Sequence, residues 1–129
     1  MFYMIQTNKQ ITNNNKALLT DIVFALQEKK AKNIISLKFD KVNAAMFDSF
    51  VICTATSNTH ATALFDNVAL FVKQHLGILP NHTEGVNNAQ WILMDYFDVL
   101  VHIFLPDSRQ FYNIEGLWGD AVKTIYNEE

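Results

Sequence analysis

The stretch WILMDYFDVLVHIF, residues 91 to 104, holds two apolar runs that meet at the acidic residues Asp95 and Asp98. Short runs rich in β-branched and aromatic residues, broken by a polar pair, read as the two strands of an antiparallel hairpin. A two-residue turn at Tyr96 and Phe97 would set Asp95 opposite Asp98, Met94 opposite Val99, Leu93 opposite Leu100, Ile92 opposite Val101 and Trp91 opposite His102. One face then carries Ile92, Met94, Val99, Val101 and Ile103, the apolar side expected beneath helices. The other carries Trp91, Leu93, Asp95, Asp98, Leu100, His102 and Phe104, too polar for a core and too apolar for idle surface. Like charges directly opposite each other cost up to about 1 kcal/mol. An internal arginine such as Arg109, a metal ion or cations on a partner should offset them. Turn carboxylates alone would be ordinary punctuation, but Trp91 and Leu93 beside them favour an interaction surface.

The rest of the chain supplies layers for such a hairpin. Residues 1 to 13 read as a loosely held tail, with residues 14 to 126 as one domain. The asparagines at 13 to 15 offer N-caps for a helix carrying Leu18, Leu19, Ile22, Ala25 and Leu26 on one face. Lys29, Lys30 and Lys32 crowd its end, where the helix dipole favours cations. NIISLKF alternates Ile35, Leu37 and Phe39, and SFVICTA is a near-continuous apolar run, so both read as strands, the second central. DKVNAAM between them reads as a surface connection. TSN at 56 to 58 opens a helix striped by Ala61, Leu64, Phe65, Val68, Val72 and Leu76, capped by Thr56 or Ser57 and stopped by Gly77. PNHTEGVNNAQ reads as a polar loop. Beyond the hairpin, Ile114, Leu117, Trp118, Ala121, Val122 and Ile125 fall at helical spacing, in a final helix weakened by Gly116 and Gly119. The order helix, strand, strand, helix, strand, strand, helix predicts an α/β fold, a single-domain sandwich of a mixed sheet with packed helices.

Charge and chemistry narrow the function. A formal net charge of −3 lacks the field that phosphate backbones attract, which disfavours direct nucleic-acid binding and suits a basic protein partner. Cys53 is the single cysteine, set among apolar residues, and reads as a buried small hydrophobe suited to a reducing cytoplasm. The first residues do not resemble a signal peptide, and no apolar run approaches a membrane span. His102 reads as a packed, hydrogen-bonded histidine, since no carboxylate or thiol lies near it in sequence to form a dyad. His60, His75 and His82 show no metal-ligand spacing. No catalytic residue, cofactor or metal is expected.

Several motifs in collinear order resemble one family, the ribosomal silencing factors or Iojap-like proteins. They are FDSFVICTATSN, the Glu84-Gly85 pair with Trp91 following, WILMDYFD, VHIF and RQFYNIEGLWGDA, within about residues 16 to 122. Phe97 stands where the family usually has a glycine, so a turn demanding positive φ would be strained there. Ser49 and Thr59 also depart from the pattern. The resemblance implies a fold related to nucleotidyltransferases, and a factor that binds protein fourteen of the large ribosomal subunit, with ribosomal RNA nearby. Such a factor hinders joining of the small subunit and represses translation when nutrients are short. Its free members are frequently homodimers. The contact surface carried over by matched motif is Glu84, Trp91, Asp95, Tyr96, Asp98, His102, Tyr112 and Glu115, to which the hairpin face adds Leu93. Two rivals stand beside it: a metal-dependent nucleotidyltransferase using Asp95 and Asp98, and a module for some other assembly. The first lacks a Gly-Ser phosphate-binding signature, because none of the four glycines precedes a serine.

Overall fold

The computed structural model describes residues 2–39 and 47–128, with side chains from Asn15 onward. The connection DKVNAAM falls outside the described residues, apart from Phe39 before it and Phe47 after it. In chain order the elements are α1 (Phe2–Glu28), β1 (Lys32–Lys38), β2 (Ser49–Thr54), α2 (Asn58–Leu76), β3 (His82–Glu84), β4 (Trp91–Asp95), β5 (Val99–Phe104), α3 (Pro106–Tyr112), α4 (Ile114–Leu117) and β6 (Val122–Ile125). They build the expected α/β sandwich on one mixed sheet of order β3-β4-β5-β2-β1-β6. Only β2 and β5 run parallel; the other described pairs are antiparallel.

β2 is buried along its whole length, as its unbroken apolar sequence requires of a strand covered on both faces. Beneath one face lie α1 and α2, packing Leu18, Ile22, Leu26, Leu64, Val68 and Val72 against Val51, Cys53, Ile92, Met94, Val101 and Ile103. The two helices are pinned together by Asn67, whose amide donates to the Ala25 carbonyl at 2.8 Å. Ser57 caps α2 by accepting from the His60 N–H, and Gly77 ends it in the left-handed conformation, as the sequence signals. The other face carries a smaller cluster of Ile35, Leu37, Phe39, Phe50, Ile52 and Phe104, roofed in part by Ile114 and Trp118 from the α4 segment.

Three expectations are corrected. α1 begins at Phe2 rather than at the asparagine run; an asparagine inside a helix costs only about 0.5 kcal/mol relative to alanine and need not end one. The polar loop contains the short strand β3, paired with β4 through His82–Asp95, Thr83–Met94 and Glu84–Leu93. The final helix does not form: α3 and α4 are short, and residues 122 to 125 become β6, antiparallel to β1 with Ile125 beside Ile35 and Lys123 beside Leu37. β-branched Val122, Thr124 and Ile125 favour that edge pairing, and Gly116 and Gly119 weaken a continuous helix across them.

The hairpin also slips relative to the expected register. Trp91 lies opposite Phe104, Leu93 opposite His102, Met94 opposite Val101 and Asp95 opposite Leu100. Tyr96 closes the ladder by donating to the Val99 carbonyl at 2.9 Å, and the Asp98 N–H turns back to the Tyr96 carbonyl at 2.9 Å around Phe97. Phe97 takes φ +72, the left-handed conformation that a glycine would adopt freely and that costs other residues about 1–2 kcal/mol. Its ring is 60% exposed, so little burial offsets that cost. Phe97→Gly should therefore stabilise the domain by about 0.5 kcal/mol after allowing for glycine's greater unfolded freedom. Thermal melts check this; a lowered Tm would mean the Phe97 ring makes a stabilising contact.

Candidate protein-binding face

On the second face of the sheet, β4 contributes Trp91, Leu93 and Asp95, and β5 contributes Leu100, His102 and Phe104. Trp91 is half-buried in an aromatic stack. Its ring lies 5.0 Å from Phe104 at 27°, 6.0 Å from His102 at 28° and 4.5 Å from Tyr112 of α3 at 41°. Its indole Nε1 donates to His102 Nδ1 at 3.1 Å. That bond makes Nδ1 the acceptor and puts the imidazole proton on Nε2, which has no hydrogen-bond partner among the described residues. His102 is 2% exposed and packs on Phe50 at 4.7 Å. Burial pushes its pKa down to about 3, so it stays neutral: a packed histidine, as the sequence suggests.

Glu84 flanks this face from β3, exposed and bonded to His82 Nε2 at 2.9 Å. Gly85, at φ +79, brings the chain so close to the Trp91 carbonyl that a Cβ would collide with it. This explains the glycine of the Glu84-Gly85 motif and ties it physically to Trp91. Tyr112 is half-exposed over Trp91, and Phe111 beside it, which sequence reasoning passed over, is 80% exposed. The RQFYN motif held the signal, since two adjacent aromatics at the end of a short helix cannot both turn inward.

The two carboxylates have separate environments. Asp95 Oδ1 accepts from the Phe97 N–H at 2.7 Å, bracing the turn. Asp98 follows the turn, and its carbonyl accepts from the Asp48 N–H at 2.7 Å and the Ser49 N–H at 3.1 Å. They are not cross-strand partners, so the expected direct repulsion is absent. Arg109 does not serve them: it bonds Glu115, the Asn33 carbonyl and the Thr54 hydroxyl. Neither Asp95 nor Asp98 forms an ion pair among the described residues, and both are half-buried.

Two of the expected contact residues are buried and cannot meet a partner without rearrangement. His102 lies under Trp91, and Tyr96, 2% exposed, points into the helix-covered core. Tyr96 falls on the core side because its backbone continues the alternation of β4, while Phe97 alone reverses outward. Its hydroxyl is also without a partner among the described residues, and burial pushes it up to about 12. Glu115 is one-quarter exposed and held by Arg109 at 2.7 Å. Glu84, Trp91, Leu93, Asp95, Asp98 and Tyr112 keep exposed surface.

Cys53 is fully buried and its thiol pushed up to about 12 by burial, so it is an inert core residue. No group of three His, Cys, Asp or Glu side chains among the described residues could hold a metal ion.

Residues 12–129 match a protein family described as the ribosomal silencing factor during starvation. The chain belongs to the ribosomal silencing factor family. The silencing factor RsfS of Halalkalibacterium halodurans is 37% identical over 108 residues, covering 84% of this chain and 91% of that one. The Bacillus subtilis silencing factor is 34% identical over 84% of this chain and 90% of its own. A Chromobacterium violaceum protein of known crystal structure superposes with a TM-score of 0.76 at 34% identity, over 81% of this chain and 85% of that one. The sheet that carries the aromatic face is thus the sheet of a silencing-factor fold.

Proposed function

We propose that this silencing factor binds the large ribosomal subunit through the subunit's protein fourteen, blocks association with the small subunit, and so represses translation in the cytoplasm under nutrient limitation. The observation that carries the reading is the partly exposed face where Trp91, Leu93 and Tyr112 adjoin Asp95, Asp98 and Glu84, the two aspartates forming no ion pair among the described residues. Such a face suits a basic protein with an apolar patch. Steric exclusion needs no chemistry, and binding rather than catalysis is the activity proposed. A nucleotidyltransferase would need convergent carboxylates at a ligand cleft. The cleft of about 660 Å³ beyond the ends of β2 and β5 is lined by Lys32, Thr54, Thr56, Arg109 and Glu115, and neither aspartate of the hairpin reaches it.

The test mixes purified large and small subunits at joining-permissive magnesium with excess protein and follows the peaks on a sucrose gradient. Free large subunits carrying the protein should accumulate, and pre-joined ribosomes should be much less affected. Replacing both Asp95 and Asp98 with lysine should weaken large-subunit binding by more than about tenfold through like-charge contact. It should cost only about 1 kcal/mol of stability, for the lost turn bond. Unchanged joining despite saturated binding would sink the mechanism; normal binding by the folded double variant would sink the interface.

A further inference from the structure

The helix that carries Tyr112 has little to hold it. α3 spans only Pro106–Tyr112 and contributes no fully buried residue to the core, and a helix of two turns has no stability of its own in water. Leu105 leads into it from the core, its N–H donating to the Gln90 carbonyl at 3.0 Å, and beyond that its polar attachment is Arg109. Nη1 of Arg109 donates to the Asn33 carbonyl at 2.7 Å and to Thr54 Oγ1 at 2.8 Å, at the ends of β1 and β2, while Nε donates to Glu115 Oε1 at 2.7 Å on α4. The guanidinium side chain is 13% exposed, so these bonds form largely out of water, where charge-assisted hydrogen bonds are strongest. Tyr112 lies nearly one turn beyond Arg109 on the same helix, and a rotation of α3 would carry its ring off Trp91.

We infer that Glu115 is a positioning residue rather than a partner contact: with Arg109 it bolts α3 to the sheet and so sets the Tyr112 ring against Trp91 in the docking face. The inference rests on the reading that this face meets the large subunit. Glu115 has its negative charge already answered within the chain, which leaves it little to offer an incoming cation. The Arg109 hydrogen bond also holds its carboxyl below the usual range, as expected of a carboxylate committed to an internal partner.

Two readouts separate position from contact. In the free protein, NMR cross-relaxation between the Tyr112 and Trp91 rings reports whether α3 is in place. Co-sedimentation with purified large subunits at two salt concentrations reports binding. Glu115→Gln keeps an oxygen for Arg109 Nε but loses the charge. It should preserve the ring contact and bind within about threefold of wild type, with the same salt dependence. Glu115→Leu removes the acceptor, and should weaken the ring contact and reduce binding by about tenfold or more in a protein that still melts cooperatively. Arg109→Lys keeps the charge but loses the planar fork and should behave like Glu115→Leu, which covers the case in which the leucine variant does not fold. Binding lost in Glu115→Gln with the ring contact intact would overturn the inference and make Glu115 a direct charged contact, as would an undisturbed ring contact in both Glu115→Leu and Arg109→Lys. If wild-type protein does not sediment with large subunits, the docking reading fails, and the ring contact alone still decides whether Glu115 sets Tyr112.

Discussion

Trp91→Ala should lower the unfolding free energy by about 3 kcal/mol, a large share of what a domain of this size possesses. The side chain is only half-buried, which places it at the lower end of tryptophan truncations, but it is shared by three rings: Phe104 beneath it, His102 beside it and Tyr112 above. Removing it also deprives His102 Nδ1 of its indole donor, leaving a buried imidazole with neither nitrogen bonded among the described residues. An unmet buried polar group costs about 1–3 kcal/mol. Trp91→Phe retains a ring for Phe104 and Tyr112 and loses chiefly the indole N–H, so about 1–2 kcal/mol is expected there. Urea titrations of the three proteins give the comparison. A loss below 1 kcal/mol for Trp91→Ala would mean that the stack does not organise the face. Trp91→Phe is accordingly the better probe of binding, because Trp91→Ala disturbs the fold as well as the surface.

The faces of the hairpin were legible in the sequence although its register was not. Side chains alternate with a period of two, so the observed slip of two residues leaves every strand residue on its predicted side; Ile92, Met94, Val99, Val101 and Ile103 are all fully buried. The length of the turn depended on Asp95 reaching the Phe97 N–H and on Phe97 taking a positive φ. Neither follows from an apolar pattern. The C-terminal segment failed for a related reason: Ile114, Leu117, Trp118 and Val122 suit a helical stripe, but only the vacant edge of β1 decides that Val122–Ile125 pairs as a strand. That edge exists once the sheet has formed, so it is tertiary context overriding a local period.

For the site, strand parity put Trp91, Leu93 and Asp95 on one face and the family resemblance added Tyr112 and Glu84; all five keep accessible surface. The resemblance carried His102 among the contacts, whereas the residue-level reading of a packed histidine is the one the Trp91 stack bears out. Tyr96 was assigned to a turn, whereas it continues β4 into the core. Arg109 was offered to the wrong carboxylates. Its partner Glu115 lies six residues on, across the break between α3 and α4, a separation that corresponds to no regular period.

Lowering the pH from 6.5 to 5 should cost the domain about 2 kcal/mol through His102 alone. In the folded protein burial holds this imidazole's pKa down at about 3 against an ordinary 6.5, and Nδ1, the site for a second proton, is occupied by the Trp91 indole N–H. The unfolded chain therefore takes up a proton near pH 6.5 that the native state refuses until about pH 3. Between those values the unfolded state binds more protons, so stability falls with falling pH by about 1.4 kcal/mol per unit, and the contribution is constant above the upper value. Glu115 acts in a separate, lower window: with its folded pKa depressed by Arg109, its stabilisation is present above the ordinary 4.5 and is lost as pH falls through the folded value. Urea unfolding at pH 7, 6 and 5 thus isolates the histidine from Glu115. His102→Gln, whose amide oxygen can still accept from Trp91, should be less stable at pH 7 but should lose about 2 kcal/mol less than wild type on going to pH 5. Equal losses in the two proteins would mean that His102 is accessible to protons in the folded state, and that the Trp91 face opens to water under conditions where the domain remains native.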